Sequence, residues 1–278
     1  MIIPNKIFLA VFALSLSIST YAQRVPDLFR AAAVGDAAEV TRLLAAGIGP
    51  DFRDPEGDTA LIIAANEGHF AAAQALVAAG ANVKATGAGG WTALHGAAKS
   101  GNADLIGLLV GRGLDVNIRT TAGETPLYLA AENGKLDAVK QLLARKADIH
   151  AVTANEETVL HGAAMGGSSE VVQLLAVRGI PVNAVNRDGE APLFWAAASG
   201  QVSTTQALVV RGASINAFDF KGNTALHGAA ASGHVEVVRY LLFRRANRMM
   251  TNNQGKTALD LAKDRKEVEV VTVLEDLR

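Results

Sequence analysis

The sequence predicts an all-α repeat protein, a solenoid of stacked helix-turn-helix units, and three observations lead to this fold class. The heptapeptide Thr-Ala-Leu-His-Gly-Ala-Ala at residues 92–98 returns almost unchanged at 158–164 and 224–230. Looser copies of its opening, which begin at residues 59, 125, 191 and 257, complete a fixed step of 33 residues. Leucine and alanine also recur at the same step elsewhere in each unit. A constant period of this length is typical of stacked repeats.

Composition narrows the classes of protein that fit. Hydrophobic residues make up 50% of the 278 positions, yet aromatic residues make up only 5%, so the core is built from alanine, leucine and valine in closely packed, thin helices. The net charge of −1 provides no overall field that would attract nucleic acid or an anionic membrane. The absence of cysteine excludes disulfides and thiol chemistry.

The N-terminus predicts an export signal. Lys6 precedes the apolar run 7–18, and small residues follow it. This run is too short to span a bilayer, which takes about 20 residues, but it has the length of a secretory signal. We expect a cleavable signal peptide over residues 1–22, with cleavage between Ala22 and Gln23, and a periplasmic or secreted product without a membrane span. An uncleaved N-terminal anchor is the alternative.

Three columns of identical residues run through eight units at the 33-residue step. The first holds leucine at 28, 61, 94, 127, 160, 193, 226 and 259. The second holds alanine at 31, 64, 97, 130, 163, 196, 229 and 262. The third holds leucine at 43, 76, 109, 142, 175, 208, 241 and 274. Leucine and alanine three residues apart share one face of a helix, so the columns predict a continuous core.

Each unit reads as two helices joined by turns. Threonine opens the first helix as an N-cap, and Pro126 and Pro192 occupy first-turn positions where a missing N–H costs little. Glycine closes it, since glycine adopts the left-handed backbone of a helix end: Gly68, Gly101, Gly134, Gly167, Gly200 and Gly233. A second helix follows, for example over residues 137–144, with Val139, Leu142 and Leu143 inward. Short extended segments, such as 115–117 and 214–216, then lead to a turn.

These motifs resemble the ankyrin repeat. Thr125-Pro126-Leu127 and residues 92–98 each carry most of that family's T-P-L-H-x-A-A opening, and residues 233–238 match the start of its second helix. The resemblance implies an ankyrin-repeat solenoid with β-hairpin-like turns. Glu156 replaces a turn glycine, and Lys146 and Arg245 replace helix-terminal glycines, which puts the turn geometry in question at those points.

The register predicts an ankyrin-repeat domain over residues 24–278. Its expected units are an N-terminal cap repeat 24–56, then 57–89, 90–122, 123–155, 156–188, 189–221 and 222–254, and a C-terminal cap repeat 255–278. The last unit is far more charged than the interior ones, as the exposed end of a solenoid requires.

No catalytic or cofactor-binding constellation stands out, so we expect a protein that is not an enzyme and needs no metal or cofactor. His95, His161 and His227 share one column, but helices that pack about 8–10 Å apart keep them too far from each other to share a zinc ion. The resemblance implies instead that each histidine bonds to the nearby threonine and backbone.

Variation at the turn tips indicates where a partner would bind. The residue before the threonine column is glutamate in three successive units, Glu124, Glu157 and Glu190, which predicts a ladder with rungs roughly 10 Å apart. In the register Trp91 stands at one end of this ladder and Phe218 and Phe220 near the other, with Arg119 and Arg187 beside it. Exposed aromatic residues are common interface anchors. The alternative is a solvated column with Phe218 tucked under its own turn.

The histidine column and its neighbour alternate between units. The histidine position reads Ile62, His95, Tyr128, His161, Phe194, His227 and Asp260. The next position reads Ile63, Gly96, Leu129, Gly162, Trp195, Gly228 and Leu261. Either a 66-residue pair was duplicated, or the glycines leave room for large residues, Trp195 above all, in neighbouring units.

The expected function is protein binding. We expect an exported, monomeric array that binds a partner protein through its concave face and turn tips to inhibit, protect or scaffold it. Nucleic acid is not an expected partner. A structural spacer without a tight partner and a secreted effector that acts on a host protein are the alternatives.

Overall fold

The computed structural model describes residues 25–276 of the 278-residue chain. The expected signal peptide over residues 1–22 and its cleavage site between Ala22 and Gln23 lie outside the described residues. Contacts group the described residues into two compact units, 25–115 and 116–276. The described residues contain sixteen α-helices, and strand-like pairing in this part of the chain is limited to single antiparallel bridges.

The first unit contains six of these helices and one short 3₁₀ turn. The helices are α1 (residues 25–34), α2 (Ala37–Ala45), α3 (Ala60–Asn66), α4 (Phe70–Ala78), α5 (Ala93–Ser100) and α6 (Ala103–Gly111), and the 3₁₀ turn covers Ala88–Gly90. Helix α3 packs on α5, while α4 lies between α2 and α6. The first helices of successive repeats thus form one layer and the second helices another.

The second unit repeats this two-layer arrangement five times. Its first helices are α7 (Pro126–Glu132), α9 (Val159–Gly166), α11 (Pro192–Ala198), α13 (Ala225–Ala231) and α15 (Ala258–Arg265). Its second helices are α8 (Leu136–Ala144), α10 (Ser169–Ala176), α12 (Val202–Val210), α14 (Val235–Phe243) and α16 (Val268–Asp276). Each helix packs on its counterpart in the next repeat and on its partner within the repeat, which confirms the predicted ankyrin-type solenoid.

The predicted columns form the core. All eight alanines of the alanine column and all eight leucines of the second leucine column are buried. The first leucine column is buried from Leu28 to Leu226, whereas Leu259 in the charged last repeat is half-buried. On α8 the inward residues are Ala138, Val139 and Leu142, and the predicted inward Leu143 is only half-buried.

Threonine and glycine set the helix limits as predicted. Thr59, Thr125, Thr224 and Thr257 each accept a hydrogen bond from the backbone N–H three residues on. All six glycines predicted to close the first helices have φ between 66° and 88°. In the left-handed region a Cβ costs about 1–2 kcal/mol, which glycine avoids.

The three departures from the glycine pattern keep the same backbone geometry. Lys146, Glu156 and Arg245 have φ of 66°, 64° and 64°, and Lys266 at the end of α15 has 63°. The turns are therefore built as in the other repeats, and these side chains carry the strain that glycine avoids.

Hairpin-like turns connect the repeats. Single antiparallel bridges join Arg53 to Thr59, Thr86 to Thr92, Val152 to Thr158 and Phe218 to Thr224. The expectation of extended segments at 115–117 and 214–216 was wrong, because residues 116–117 and 215–216 form turns. The Ala217 N–H donates to the Ser214 carbonyl at 3.0 Å, which closes the second of them.

No helix among residues 25–276 combines the length and the apolar character needed to cross a membrane.

Candidate partner-binding surface

A column of buried polar side chains, which the sequence reasoning missed, builds the hairpins. These residues stand four positions before the predicted tip residues: Thr120, Thr153, Asn186, Asp219 and Asn252. Each accepts the backbone N–H of its tip residue, for example Glu190 N–H to Asn186 Oδ1 at 2.9 Å and Asn223 N–H to Asp219 Oδ1 at 2.7 Å. Short polar side chains close turns in this way, and their 33-residue spacing was a signal available in the sequence.

Backbone bonds tie each hairpin of the second unit to the previous one. The Ala154, Arg187 and Phe220 N–H groups donate to the carbonyls of Ala122, Asn155 and Asp188 at 2.8, 2.9 and 3.0 Å. The Asn253 N–H continues the series to the Lys221 carbonyl at 2.9 Å. Side chains on these tips are therefore displayed from a continuous, hydrogen-bonded scaffold.

The glutamate ladder is part of the hairpin structure. Glu124 and Glu157 each accept the hydroxyl of the threonine four residues earlier at 3.0 Å, and Glu190 accepts the Asn186 Nδ2 amide at 3.0 Å. All three glutamates are half-buried. Their negative charges are thus fixed in position along three successive hairpins.

Two of these carboxylates also bind a first-helix aromatic residue. Tyr128 donates its hydroxyl to Glu157 Oε2 at 3.0 Å, and Trp195 donates its indole N–H to Glu190 Oε2 at 2.9 Å. Burial, and after it the Glu157 charge, raises the pKa of Tyr128, which keeps the phenol protonated as a donor. Trp195 thus belongs to this surface, although the sequence reasoning assigned it only a packing role.

Phe218 and Phe220 are the most exposed aromatic residues on the hairpins. Their exposed fractions are 63% and 73%, so Phe218 is not tucked under its own turn. The Phe220 ring lies against Gly189 of the preceding hairpin, where an added Cβ would come within 2.6 Å of the ring. Val185 and Val152, one and two repeats before Phe218, are also exposed. An apolar stripe therefore accompanies the glutamate ladder.

The two arginines beside the ladder have different surroundings. Arg119 donates through Nη2 to the Val152 carbonyl of the next hairpin. Arg187 lies with its Nε 3.8 Å from Glu156 Oε1, and both side chains are more than 60% exposed. Arg119 thus reinforces the scaffold, whereas Arg187 is accessible for contact, since exposed ion pairs contribute little.

Trp91 lies in the first unit, where it is half-buried. Its indole N–H donates to Asn66 Oδ1 at 2.8 Å, its ring lies 5.4 Å from the His95 ring, and Lys99 Nζ is 5.8 Å from its centroid. These contacts hold the half-buried tryptophan in one orientation.

The histidines are structural, as the resemblance implies. His161 Nδ1 accepts the Thr158 N–H at 3.0 Å, so Nε2 carries the proton and donates to the Glu190 carbonyl at 2.9 Å. His227 makes the same pair of bonds to Thr224 and to the Lys256 carbonyl. Burial lowers the pKa of both rings. Over residues 25–276, no three potential metal-ligating side chains come together.

Gly162 and Gly228 make room for the histidine column of the preceding repeat, whereas Gly96 makes room for the end of the preceding first helix at Asn66. A Cβ on Gly228 would lie 3.2 Å from the Phe194 ring and from Ala198 Cβ. A Cβ on Gly162 would lie 3.2 Å from the Tyr128 ring, and one on Gly96 would lie 2.7 Å from the Asn66 backbone. Large residues are therefore accommodated, but the one that faces Gly228 is Phe194. Trp195 instead meets the His161 ring edge-on, 6.4 Å away.

Comparison with known families agrees with this architecture. The family model described as ankyrin repeats in three copies matches residues 28–120 and 127–219, and the model described as ankyrin repeats in many copies matches residues 208–262. A search of curated proteins finds no match. Ankyrin repeats are generic protein–protein interaction modules, typically without catalytic activity. On these matches, which cover most of the chain, the protein belongs to the ankyrin-repeat family.

Proposed function

We propose that this chain binds a partner protein through the hairpin surface of its second unit, and thereby inhibits, protects or scaffolds that partner. We define the hairpin surface as residues 119–124, 152–157, 185–190 and 218–223. The observation that carries the proposal is the pair Phe218 and Phe220, which are 63% and 73% exposed on a hydrogen-bonded scaffold. Aromatic side chains held in place lose little entropy on binding, which favours their use as anchors.

The charge of this surface defines the partner further. It carries six carboxylates, at Glu124, Glu156, Glu157, Asp188, Glu190 and Asp219. Only three cations, Arg119, Arg187 and Lys221, accompany them. Complementary electrostatic potentials on two protein surfaces speed their association and favour the correct partner. The partner surface should therefore be basic, with an apolar patch that receives the phenylalanines.

We place this activity in the periplasm, or outside the cell, on the strength of the apolar run and small residues at the start of the chain. N-terminal sequencing of the protein recovered from fractionated cells tests this placement. A mature N-terminus at Gln23 is expected, and a chain that retains Met1 in the cytoplasmic fraction would overturn it.

Affinity capture from the native cell, followed by mass spectrometry, tests the binding. The bait is the wild-type chain, the variant Phe218→Ser/Phe220→Ser, or the variant Val177→Ser/Val210→Ser. The last variant removes exposed apolar side chains from the C-terminal ends of α10 and α12, two of the second helices of the repeats, which we call the outer helices. We expect a protein that the first variant loses and the second retains. The aromatic pair should account for at least about a 30-fold change in affinity, corresponding to a hot spot of about 2 kcal/mol.

The neutral variant Glu124→Gln/Glu157→Gln/Glu190→Gln tests the charge, because glutamine retains an oxygen that can accept the hairpin bonds. Weaker binding with an unchanged melting temperature is expected. If all baits capture the same proteins equally, a structural spacer without a specific partner replaces this proposal.

A further inference from the structure

A second periodic surface lies at the C-terminal ends of the outer helices in the second unit. Helices α10, α12 and α14 pack side by side and end within one residue of the same register. At each end an apolar residue is followed by arginine: Val177-Arg178, Val210-Arg211 and Phe243-Arg244. We call these six residues the basic edge. Helices packed about 8–10 Å apart make it roughly 20 Å long.

All six side chains are exposed, and the apolar ones strongly so. The exposed fractions of Val177, Val210 and Phe243 are 61%, 73% and 81%. A groove beside Phe243 is lined by Arg239, Leu242, Val273 and Asp276. Exposed apolar residues that repeat in register are not the scattered single side chains of an ordinary surface.

Little negative charge offsets the arginines. Over residues 25–276, the ion pairs all involve other side chains. Helix α12 has no charged residue at all. Three positions after each arginine stand Pro181, Ser214 and Asn247, whereas an aspartate follows Arg145 at this position. Arg244 donates through Nη1 to the hydroxyl of the neutral Tyr240 at 2.9 Å.

Helix stability explains only half of this pattern. A cation at a helix C-terminus interacts favourably with the helix dipole, by about 0.3–1 kcal/mol. That effect accounts for one arginine per helix, but it does not require an exposed valine or phenylalanine beside it. The combination of the two side-chain types calls for an environment that is both anionic and apolar.

We propose that the basic edge binds the surface of a lipid bilayer that contains anionic phospholipids. The arginines meet the phosphate groups, and the tips of Val177, Val210 and Phe243 enter the headgroup region. The net charge of −1 does not oppose this, because the arginines act over a Debye length of about 8–10 Å and the carboxylates are concentrated elsewhere.

Repetition favours a bilayer over a protein as the occupant. The same pair of residue types recurs at each rung, with only one aromatic residue among the six. A protein interface concentrates its affinity in a few distinct aromatic anchors and arginines that fill pockets, whereas a row of equivalent contacts suits a chemically uniform surface. Basic side chains with apolar neighbours are typical of protein segments that bind at the interface of a lipid bilayer.

Vesicle flotation with the purified full chain tests the proposal. The probes are vesicles of pure phosphatidylcholine and of an equimolar mixture with phosphatidylglycerol. We expect binding to the anionic vesicles only, and loss of binding in about 0.5 M NaCl, where the screening length is about 4 Å. Arg178→Gln/Arg211→Gln/Arg244→Gln should weaken binding about 100-fold, since each arginine contributes about 1 kcal/mol near an anionic membrane.

Two further variants make the test specific. Phe243→Ser should weaken binding by at least about fivefold through the lost apolar contact. Arg30→Gln/Lys84→Gln/Arg265→Gln removes the same number of positive charges from exposed positions outside both the basic edge and the hairpin surface, and it should bind as the wild type does. Melting curves check that each variant is folded. Absence of vesicle binding, or equal losses in the two charge variants, would overturn the proposal.

Discussion

Tyr128 donates its hydroxyl to Glu157 Oε2 at 3.0 Å, and so connects the first helix of one repeat to the hairpin of the next. In the following repeat His161 occupies the same register and reaches the Glu190 backbone carbonyl at 2.9 Å. The alternating column therefore connects helix and hairpin in both repeats, through a tyrosine hydroxyl in one and a histidine ring in the other. It fixes the hairpins, on which the glutamates and phenylalanines are displayed, to the helical layers.

The Tyr128 hydroxyl should contribute measurably to stability. Tyr128→Phe removes a hydrogen bond to a half-buried carboxylate, which is worth about 1.5–3 kcal/mol. Urea unfolding should show a midpoint lowered accordingly. Tyr240→Phe is the control, because its hydroxyl contacts an exposed arginine and should matter much less. Equal midpoints for Tyr128→Phe and the wild type would show that the bond does not hold the hairpin.

The buried histidines should make stability depend on pH. Burial lowers the pKa of His161 and of His227, against the weaker opposing effects of the Glu190 and Lys256 carbonyls and of the Glu157 and Asp219 charges. The unfolded chain then takes up protons near pH 6.5 while the folded chain does not. The two neutral histidines therefore contribute fully to the free energy of unfolding above about pH 6.5. This contribution is lost as the pH falls towards their lower pKa in the folded chain.

The measurement is the melting temperature between about pH 7.5 and pH 5 for the wild type and for His161→Gln/His227→Gln. Glutamine can preserve the capping box but does not titrate. The wild type should lose stability faster than the variant as the pH falls. Parallel curves would contradict the role given to these two rings.

Two buried threonines should be replaceable with a gain in stability. The hydroxyls of Thr204 and Thr205 on α12 are buried and have no hydrogen-bond partner in the part of the chain that the structure describes. Valine occupies both equivalent positions in the repeats before and after. Because an unsatisfied buried polar group costs about 1–3 kcal/mol, Thr204→Val and Thr205→Val should each raise the urea midpoint. Ser203→Ala, at an exposed position, is the control, and a lowered midpoint for either valine variant would contradict this.

The room beside Phe194 gives a fourth prediction. Gly228→Leu should destabilise the protein by about 1–3 kcal/mol, because the new side chain meets the Phe194 ring and Ala198. Phe194→Ala in the same chain should relieve part of this cost, whereas Trp195→Ala should not. A neutral Gly228→Leu, or relief by Trp195→Ala alone, would show that the alternation does not come from this packing. Phe194→Ala and Trp195→Ala, each made alone, provide the reference values from which the coupling with Gly228→Leu is obtained.

The periodic elements could be predicted from the sequence because the same physical need recurs at every step. The leucines of the column from Leu43 to Leu274 fill the core in every repeat. The glycines that close the first helices take the same left-handed backbone at each occurrence. What could not be predicted depends on contacts between repeats. The room left by Gly228 belongs to Phe194 and not to Trp195, since a linear register does not show which way a large ring turns.

The candidate surface was predictable in position but not in its internal bonding. The Glu124, Glu157 and Glu190 column was visible, yet its bonds to Thr120, Thr153 and Asn186 were not, because they depend on hairpin geometry. The basic edge was overlooked for a different reason. Net charge averages over the whole chain, and only the shared helix ends reveal that Arg178, Arg211 and Arg244 stand in one row.

Site-specific photocrosslinking tests most directly whether the hairpin surface binds a partner protein. A photoreactive phenylalanine analogue replaces Phe220, or as a control Gln173, which is exposed on the outer helix α10. The chain is then irradiated in the cells that produce it. The account predicts a discrete protein adduct from position 220 that is absent from position 173 and is lost in the Glu124→Gln/Glu157→Gln/Glu190→Gln background. An adduct from position 173 alone, or none from either position, would contradict it.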